Sequence, residues 1–200
     1  GSHIYLRIGR YHDAARVNQK AIAADEAFAS THSVSQTYGN LYMLHNHHFL
    51  AAVASFEGRG ELALSSAREL ASRVDTDAMR HPSFYTGQHY WATPYYVLVR
   101  FGRWDEILAE PAPDDDLEYP LGIWHYARGM ALLRKGRIEE AAGALGALER
   151  LRRFRDAYRA ALERWRQPTG PVCFPEGTYK MRDYPGVIGD RAPPMSCQAA

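Results

Sequence analysis

Ile4-Tyr5-Leu6-Arg7-Ile8-Gly9-Arg10-Tyr11-His12-Asp13-Ala14-Ala15-Arg16-Val17-Asn18-Gln19-Lys20-Ala21-Ile22 reads as the end of one helix, a break at Gly9-Arg10, and a second helix. After the break, Tyr11, Ala14, Ala15, Asn18, Ala21 and Ile22 recur at helical spacing and form one face. The same Gly-Arg pair returns at Gly58-Arg59, Gly102-Arg103 and Gly136-Arg137, each preceded by an apolar helical pattern and mostly followed by another. The last two stand 34 residues apart. Two antiparallel helices need a tight reversal, and glycine there avoids both a Cβ clash and a φ penalty. A single such pair cannot bury its own apolar stripe, so the copies must stack into a continuous core.

These residues resemble the tetratricopeptide repeat family, in which large and small positions surround a central glycine. Gly9-Arg10-Tyr11, then Ala14, then Ala21-Ile22 matches the second half of that pattern. Leu50-Ala51 and Ala54 with Ala63 supply the second copy, Gly129, Leu132 and Ala141 the fourth, and Trp91 falls where the family often has its tryptophan. The run from Tyr42-Met43-Leu44-His45-Asn46 to Trp124-His125-Tyr126-Ala127-Arg128-Gly129 is similar to uncharacterised bacterial members of this superfamily, from which no activity carries over.

The resemblance implies an all-α, right-handed superhelix of helical-hairpin repeats. In this register a repeat domain covers 1–166, with copies at 1–28, 44–77, 88–121 and 122–155 and a capping helix to 166. The repeats span about three quarters of the chain, with 29–43 and 78–87 as spacers or helix extensions. The first copy lacks most of its first helix, so the chain is expected to begin inside a longer array. Gly1-Ser2-His3 has the composition of a scar left by tag removal, although His3 continues equally well into Ile4-Tyr5-Leu6.

In the third copy Pro94 would interrupt the first helix, and Thr93-Pro94 reads instead as an N-cap and first helical residue, which leaves His89 and Trp91 outside a helix. Pro111 should end the helix that starts at Trp104.

Composition narrows the function. With 46% apolar and 24% charged residues the chain can build a real core, and its net charge of +1 carries no general attraction to nucleic acid or an anionic membrane. No apolar run reaches the length of a membrane span and no signal peptide is recognisable, so a soluble, cytoplasmic protein is expected. Cys173 and Cys197 are the only cysteines, both near the C-terminus, which excludes a disulfide framework for the first three quarters.

Members of the family usually bind ligands on the first helix of each repeat, which lines the concave surface. His3, Arg7, His45, His48, Phe56, Tyr96, Arg100 and Tyr126 would face that groove here. Imidazoles, aromatics and two arginines suit a peptide or an acidic group. The competing reading has these side chains satisfying one another between repeats. A protein- or peptide-binding scaffold is therefore the expected function.

The alternative is a metal-dependent or small-molecule enzyme built on His45 and His48, which stand at i and i+3, with His3 or His89 approaching from neighbouring elements. Against it, the sequence has no His-Glu-x-x-His, no Cys-x-x-Cys, no nucleophile elbow, no phosphate loop and no dinucleotide fingerprint. Neither a cofactor nor a catalytic residue is assigned.

Asp114-Asp115-Asp116 reads as a solvated loop before the next helix, with a cation site as the lesser reading and Pro120 near that helix's first turn. The arginines from Arg150 to Arg166 flank an apolar stripe of Leu148, Leu151, Phe154, Tyr158, Leu162 and Trp165, which favours a capping helix over a nucleic-acid surface. From Gln167 to Ala200 prolines and glycines forbid a long helix, and this non-helical tail is expected to pack on the repeats of its own chain or a second copy. That tail, or the apolar end of the truncated first repeat, would also serve a homo-oligomer.

Overall fold

The computed structural model describes residues 1–35 and 37–151, which belong to one compact unit. Among the described residues every regular element is helical. The capping helix expected over 152–166 and the tail 167–200 lie outside them.

Eight α-helices follow in four consecutive pairs: α1 (Ser2–Arg7) with α2 (Tyr11–Ala29), α3 (Leu44–Phe56) with α4 (Gly60–Ser72), α5 (Thr86–Arg100) with α6 (Trp104–Ala109), and α7 (Glu118–Arg134) with α8 (Ile138–Arg150). Each pair is joined at one of the Gly-Arg steps. Gly9, Gly58, Gly102 and Gly136 have φ of 75°, 72°, 66° and 74°, and no other described residue has a positive φ. The amide of the following arginine reaches back five residues, from Arg10 to the Tyr5 carbonyl at 2.8 Å, Arg59 to Ala54 at 3.0 Å, Arg103 to Leu98 at 2.9 Å and Arg137 to Leu132 at 2.9 Å. The glycine amide donates three residues back, as from Gly9 to Leu6 at 3.2 Å.

Together these bonds satisfy carbonyls that a helix end leaves without partners, a left-handed cap of the Schellman type. The arginine carbonyl then accepts the first amide bond of the next helix, from Ala14, Ala63, Ile107 and Ala141. The chain thus closes one helix and opens the next within two residues.

The arginine side chains extend the motif by pairing with an acid in the first turn of the second helix: Arg10 with Asp13, Arg103 with Glu106 and Arg137 with Glu140. Arg59 turns to Glu57 instead.

Alanines make the packing close. Ala14 and Ala15 of α2 are buried with Phe49, Leu50 and Val53 of α3. Ala51, Ala54, Ala63, Ala67, Ala92, Ala127 and Ala131 share the main cluster with Leu98 and Ile107. Small side chains let the axes approach, and the larger ones fill the gaps. Beyond its own pair, α2 packs on α3, α4 on α5 and α6 on α7, while α5 lies against both α3 and α7. Among the described residues no helix is long and apolar enough to cross a membrane.

The segments expected as spacers resolve into local structure. Residues Tyr38–Met43 form a π-helical turn that runs into α3, and two 3-10 turns, Ala78–Arg80 and Pro82–Phe84, precede α5. Gly87 lets α5 start there, because a Cβ would stand 2.9 Å from that of the buried Met79. Pro111 does follow the end of α6 at Ala109, and Pro120 lies in the first turn of α7.

Pro94 overturns the expectation that α5 begins there. It sits inside α5, so Thr93 is not an N-cap and both His89 and Trp91 are helical. An interior proline costs about 3 kcal/mol. Burial on either side outweighs it, with Ala92, Tyr95, Val97 and Leu98 all in the core. The Thr93 hydroxyl also donates to the His89 carbonyl at 2.9 Å, keeping its side chain within the helix.

The glycine caps generate a direct test. Gly58 has φ +72° and open space at its Cβ, so Gly58→Ala isolates the backbone cost and should lower unfolding stability by about 1–2 kcal/mol in urea titrations. Gly143, inside α8 with open space and no positive φ, should respond oppositely: Gly143→Ala should raise stability by about 0.5–1 kcal/mol. Equal effects at the two positions would contradict the cap assignment.

Candidate functional site

Helical spacing places His45, His48, Ala52 and Ser55 along one side of α3, and His89, Thr93, Tyr96 and Arg100 along one side of α5. Where the two meet, a cleft of about 200 Å³ is lined by His48, His89, Tyr96 and Arg100 with the small side chains of Ala51, Ala52, Ser55, Thr93 and Val97. His48 Nε2 lies 3.2 Å from His89 Nε2, with the rings steeply inclined at 76°. His89 Nδ1 shares a hydrogen bond of 2.8 Å with the Tyr119 hydroxyl, which is 2.8 Å from the Tyr96 hydroxyl. The run His48–His89–Tyr119–Tyr96 therefore ties α3, α5 and α7 together through groups that each donate and accept.

A second pair stands beside it. His3 Nε2 of α1 is 3.2 Å from His45 Nε2, and both rings pack on Phe49. At the other end of the cleft residues, Arg100 donates from Nε to the Ser55 carbonyl at 3.2 Å and lies over the Phe56 ring at 5.4 Å. Phe56 in turn stacks on Tyr11.

Of the eight residues expected in the groove, the structure gathers His48, Tyr96 and Arg100 in the cleft, with Phe56 beneath Arg100. His3 and His45 form their own pair. Arg7 on α1 and Tyr126 on α7 are exposed and do not line the cleft. Sequence reasoning placed His89 outside a helix because of Pro94 and missed Tyr119. The seven-residue step from His89 to Tyr96, two helical turns, was the available signal for His89; Tyr119 has none in the repeat pattern.

Burial lowers the pKa of His89 and of His45, the latter helped by His3. It pushes His48 down to about 4, with His89 and His45 adding to the effect. The Tyr96 phenol is raised, by burial first and then by its bond to Tyr119. At neutral pH the network is uncharged, and Arg100 is the permanent cation of the cleft. The hydroxyls there are engaged in their own helices, Ser55 with the Ala51 carbonyl and Thr93 with that of His89, so neither is bonded to an imidazole that would activate it.

Charge is segregated between the helices of each pair. The first helices carry one acid, Glu118 of α7, whereas Asp13, Asp25 and Glu26 lie on α2, Glu61 and Glu69 on α4, Asp105 and Glu106 on α6, and Glu139, Glu140 and Glu149 on α8. Cations on the second helices and their turns find these acids: Arg73 bonds Glu26 at 2.7 Å, Arg68 bonds Glu106 at 3.0 Å, and Arg103 bonds Glu61 at 2.7 Å. Arg7, Arg100 and Arg134 of the first helices form no ion pair with a carboxylate among the described residues, whereas Arg128 acts electrostatically on Glu140 of α8.

The aspartate loop is explained by Arg80, whose guanidinium bonds Asp114 at 2.7 Å and Asp116 at 2.6 Å and so stands where a cation was the lesser reading. Among the described residues no three side chains of His, Cys, Asp or Glu gather into a metal-binding group. Comparison with known protein families, with curated proteins and with solved structures finds no match for this chain.

The lowered histidines make stability depend on pH. The unfolded chain takes up protons near the ordinary value of 6.5, while folded His45, His47, His48, His89 and His125 resist them. Their contribution is full above pH 6.5 and is lost as pH falls toward about 4, the folded value of His48. Urea midpoints should drop across that window, and His48→Gln should flatten the drop; a midpoint constant from pH 7 to 4.5 would contradict it.

Proposed function

We propose that the four helix pairs stack as a tetratricopeptide-like right-handed array, and that the side carrying α1, α3, α5 and α7 binds an acidic peptide segment of a protein partner. The chain then acts as a scaffold and not as an enzyme. The observation that carries this reading is the near absence of acids on those four helices beside arginines that lack carboxylate partners. A cation at a surface with its neighbours' acids turned to the other helices favours an anionic visitor.

Arg100 supports it most directly. Its Nε is held by the Ser55 carbonyl and its plane rests on Phe56, so the guanidinium is oriented before any ligand arrives. A charge-assisted bond to a carboxylate there would contribute about 1.5–3 kcal/mol. Exposed Phe56, Tyr96 and Tyr126 on the same helices supply apolar area of the kind that dominates peptide recognition.

The cleft of about 200 Å³ is smaller than the roughly 300–1,000 Å³ of small-molecule and cofactor sites. It fits a side chain of a longer segment bound across several helices. Ser55 and Thr93, with their hydroxyls committed to backbone carbonyls, weigh against a catalytic use of the imidazoles.

Fluorescence anisotropy with Glu-rich and Lys-rich peptides of equal length should show binding of the acidic set, weakened by added salt. Arg100→Gln should reduce affinity about tenfold, which is about 1.4 kcal/mol. Equal binding of acidic and basic peptides, or an unchanged affinity for Arg100→Gln, would overturn the proposal.

A further inference from the structure

Counting from the glycine of each turn puts the four pairs in one register and shows which positions are buried where one pair meets the next. Five residues before the glycine stand Ile4, Val53, Val97 and Ala131. Val53 is buried in a cluster with Ala14 and Ala15 of the pair before it, and Val97 and Ala131 are buried in the main cluster with Ala63 and Ile107 of the pairs before them. Ile4 is 65% exposed.

The other side of each junction shows the converse. Six residues after the glycine Ala15 and Leu64 are buried, and nine after it Asn18 and Ala67 are buried. The matching residues of α8, Ala142 and Leu145, are exposed, Leu145 by 57%. Two residues after the glycine, Gly60 is covered by Phe101 of the next pair, whose ring would stand 3.1 Å from a Cβ there, whereas Ile138 in the same place is 59% exposed. Phe101 directly precedes its own glycine, and the residue that does so in the first pair is the exposed Ile8.

The α1 end thus presents the apolar residues with which a pair seats on its predecessor, and the α8 end presents those on which a successor would seat. We propose that copies of this chain associate head to tail, α1 of one copy seated on α8 of another, with Ile4 against Ala142 and Leu145 and Ile8 against Ile138.

Charge follows the same register. Three residues after the glycine, each of the first three pairs reaches across its junction: His12 stands 3.3 Å from Glu57, Glu61 bonds Arg103 at 2.7 Å, and Asp105 bonds Lys135 at 2.5 Å. The fourth such residue, Glu139, forms no ion pair among the described residues. Arg10 holds in the first pair the place of Arg103, which engages Glu106 of its own second helix and Glu61 of the preceding pair together. Arg10 already holds Asp13, and Glu139 of a second copy completes the set. An exposed pair of this kind adds register more than affinity, and apolar burial drives the association.

The two faces are different surfaces of one molecule, so the contact is heterologous and leaves each copy a free end. A symmetric dimer through α1 would leave both Glu139 and the α8 face uncovered. The junction uses none of the cleft residues, and the inference is independent of peptide binding.

The experiment is sedimentation velocity on the full chain over a range of concentrations, where the mass should rise past that of a dimer. Ile4→Glu and Leu145→Glu each place a charge in the junction at a position exposed in the single chain, so circular dichroism should be unchanged while association weakens about tenfold or more. An equimolar mixture of the two variants should associate as tightly as the wild type but stop at two copies, because each variant keeps one intact face. Glu139→Lys should weaken association by a smaller factor, about threefold.

A wild type that stays monomeric or stops at a dimer, undiminished self-association of either glutamate variant alone, or a mixture that fails to associate would each overturn the proposal.

Discussion

Each hairpin depends on a backbone amide, that of the arginine after a left-handed glycine, donating to a carbonyl five residues earlier. The bond ends the first helix and aims the chain so that the arginine carbonyl can start the second. Because the four steps share both φ values and hydrogen bonds, the four pairs leave their turns in the same way. A residue with a Cβ at any of these glycines would strain the turn in a region L-residues avoid. What the four turns share physically is the reversal, and the close packing of the small alanines depends on it.

The two helices of each pair then take different polar roles. Second helices join through exposed ion pairs, Arg73 to Glu26 and Arg68 to Glu106. Such pairs are individually weak, about 0–1 kcal/mol at a surface, and add register more than stability. First helices join through imidazoles and phenols, from His3 to His45 and from His48 through His89 and Tyr119 to Tyr96. Placing the acids with the first arginine set leaves the second set without carboxylates. The same division that secures the second helices therefore creates the cationic character of the first.

Much of this was legible in the chain because it depends on local rules. Gly-Arg at four places, followed by alanine at helical spacing, marks both the turn and the closely packed helix. Pro94 misled because a local rule was overruled by tertiary packing: the residues around it, Ala92, Tyr95 and Leu98, are buried against α4, α6 and α7 neighbours in the main cluster. With the helix start moved to Thr93, His89 fell out of register with Tyr96, although its approach to the His45 and His48 cluster was among the alternatives read from the sequence. Tyr119 and the Arg80 clamp on Asp114 and Asp116 join segments 23 to 36 residues from their partners, and no periodicity announces such contacts.

The central claim is that binding belongs to the side of the first helices. Chemical-shift mapping of the full chain with an acidic peptide tests it most directly. The account predicts perturbed amides and side chains on α1, α3, α5 and α7, centred on Arg100, His89 and Phe56, with α2, α4, α6 and α8 largely unaffected. Perturbations centred instead on the ion-paired second helices, around Arg68, Arg73 and Arg103, would contradict it.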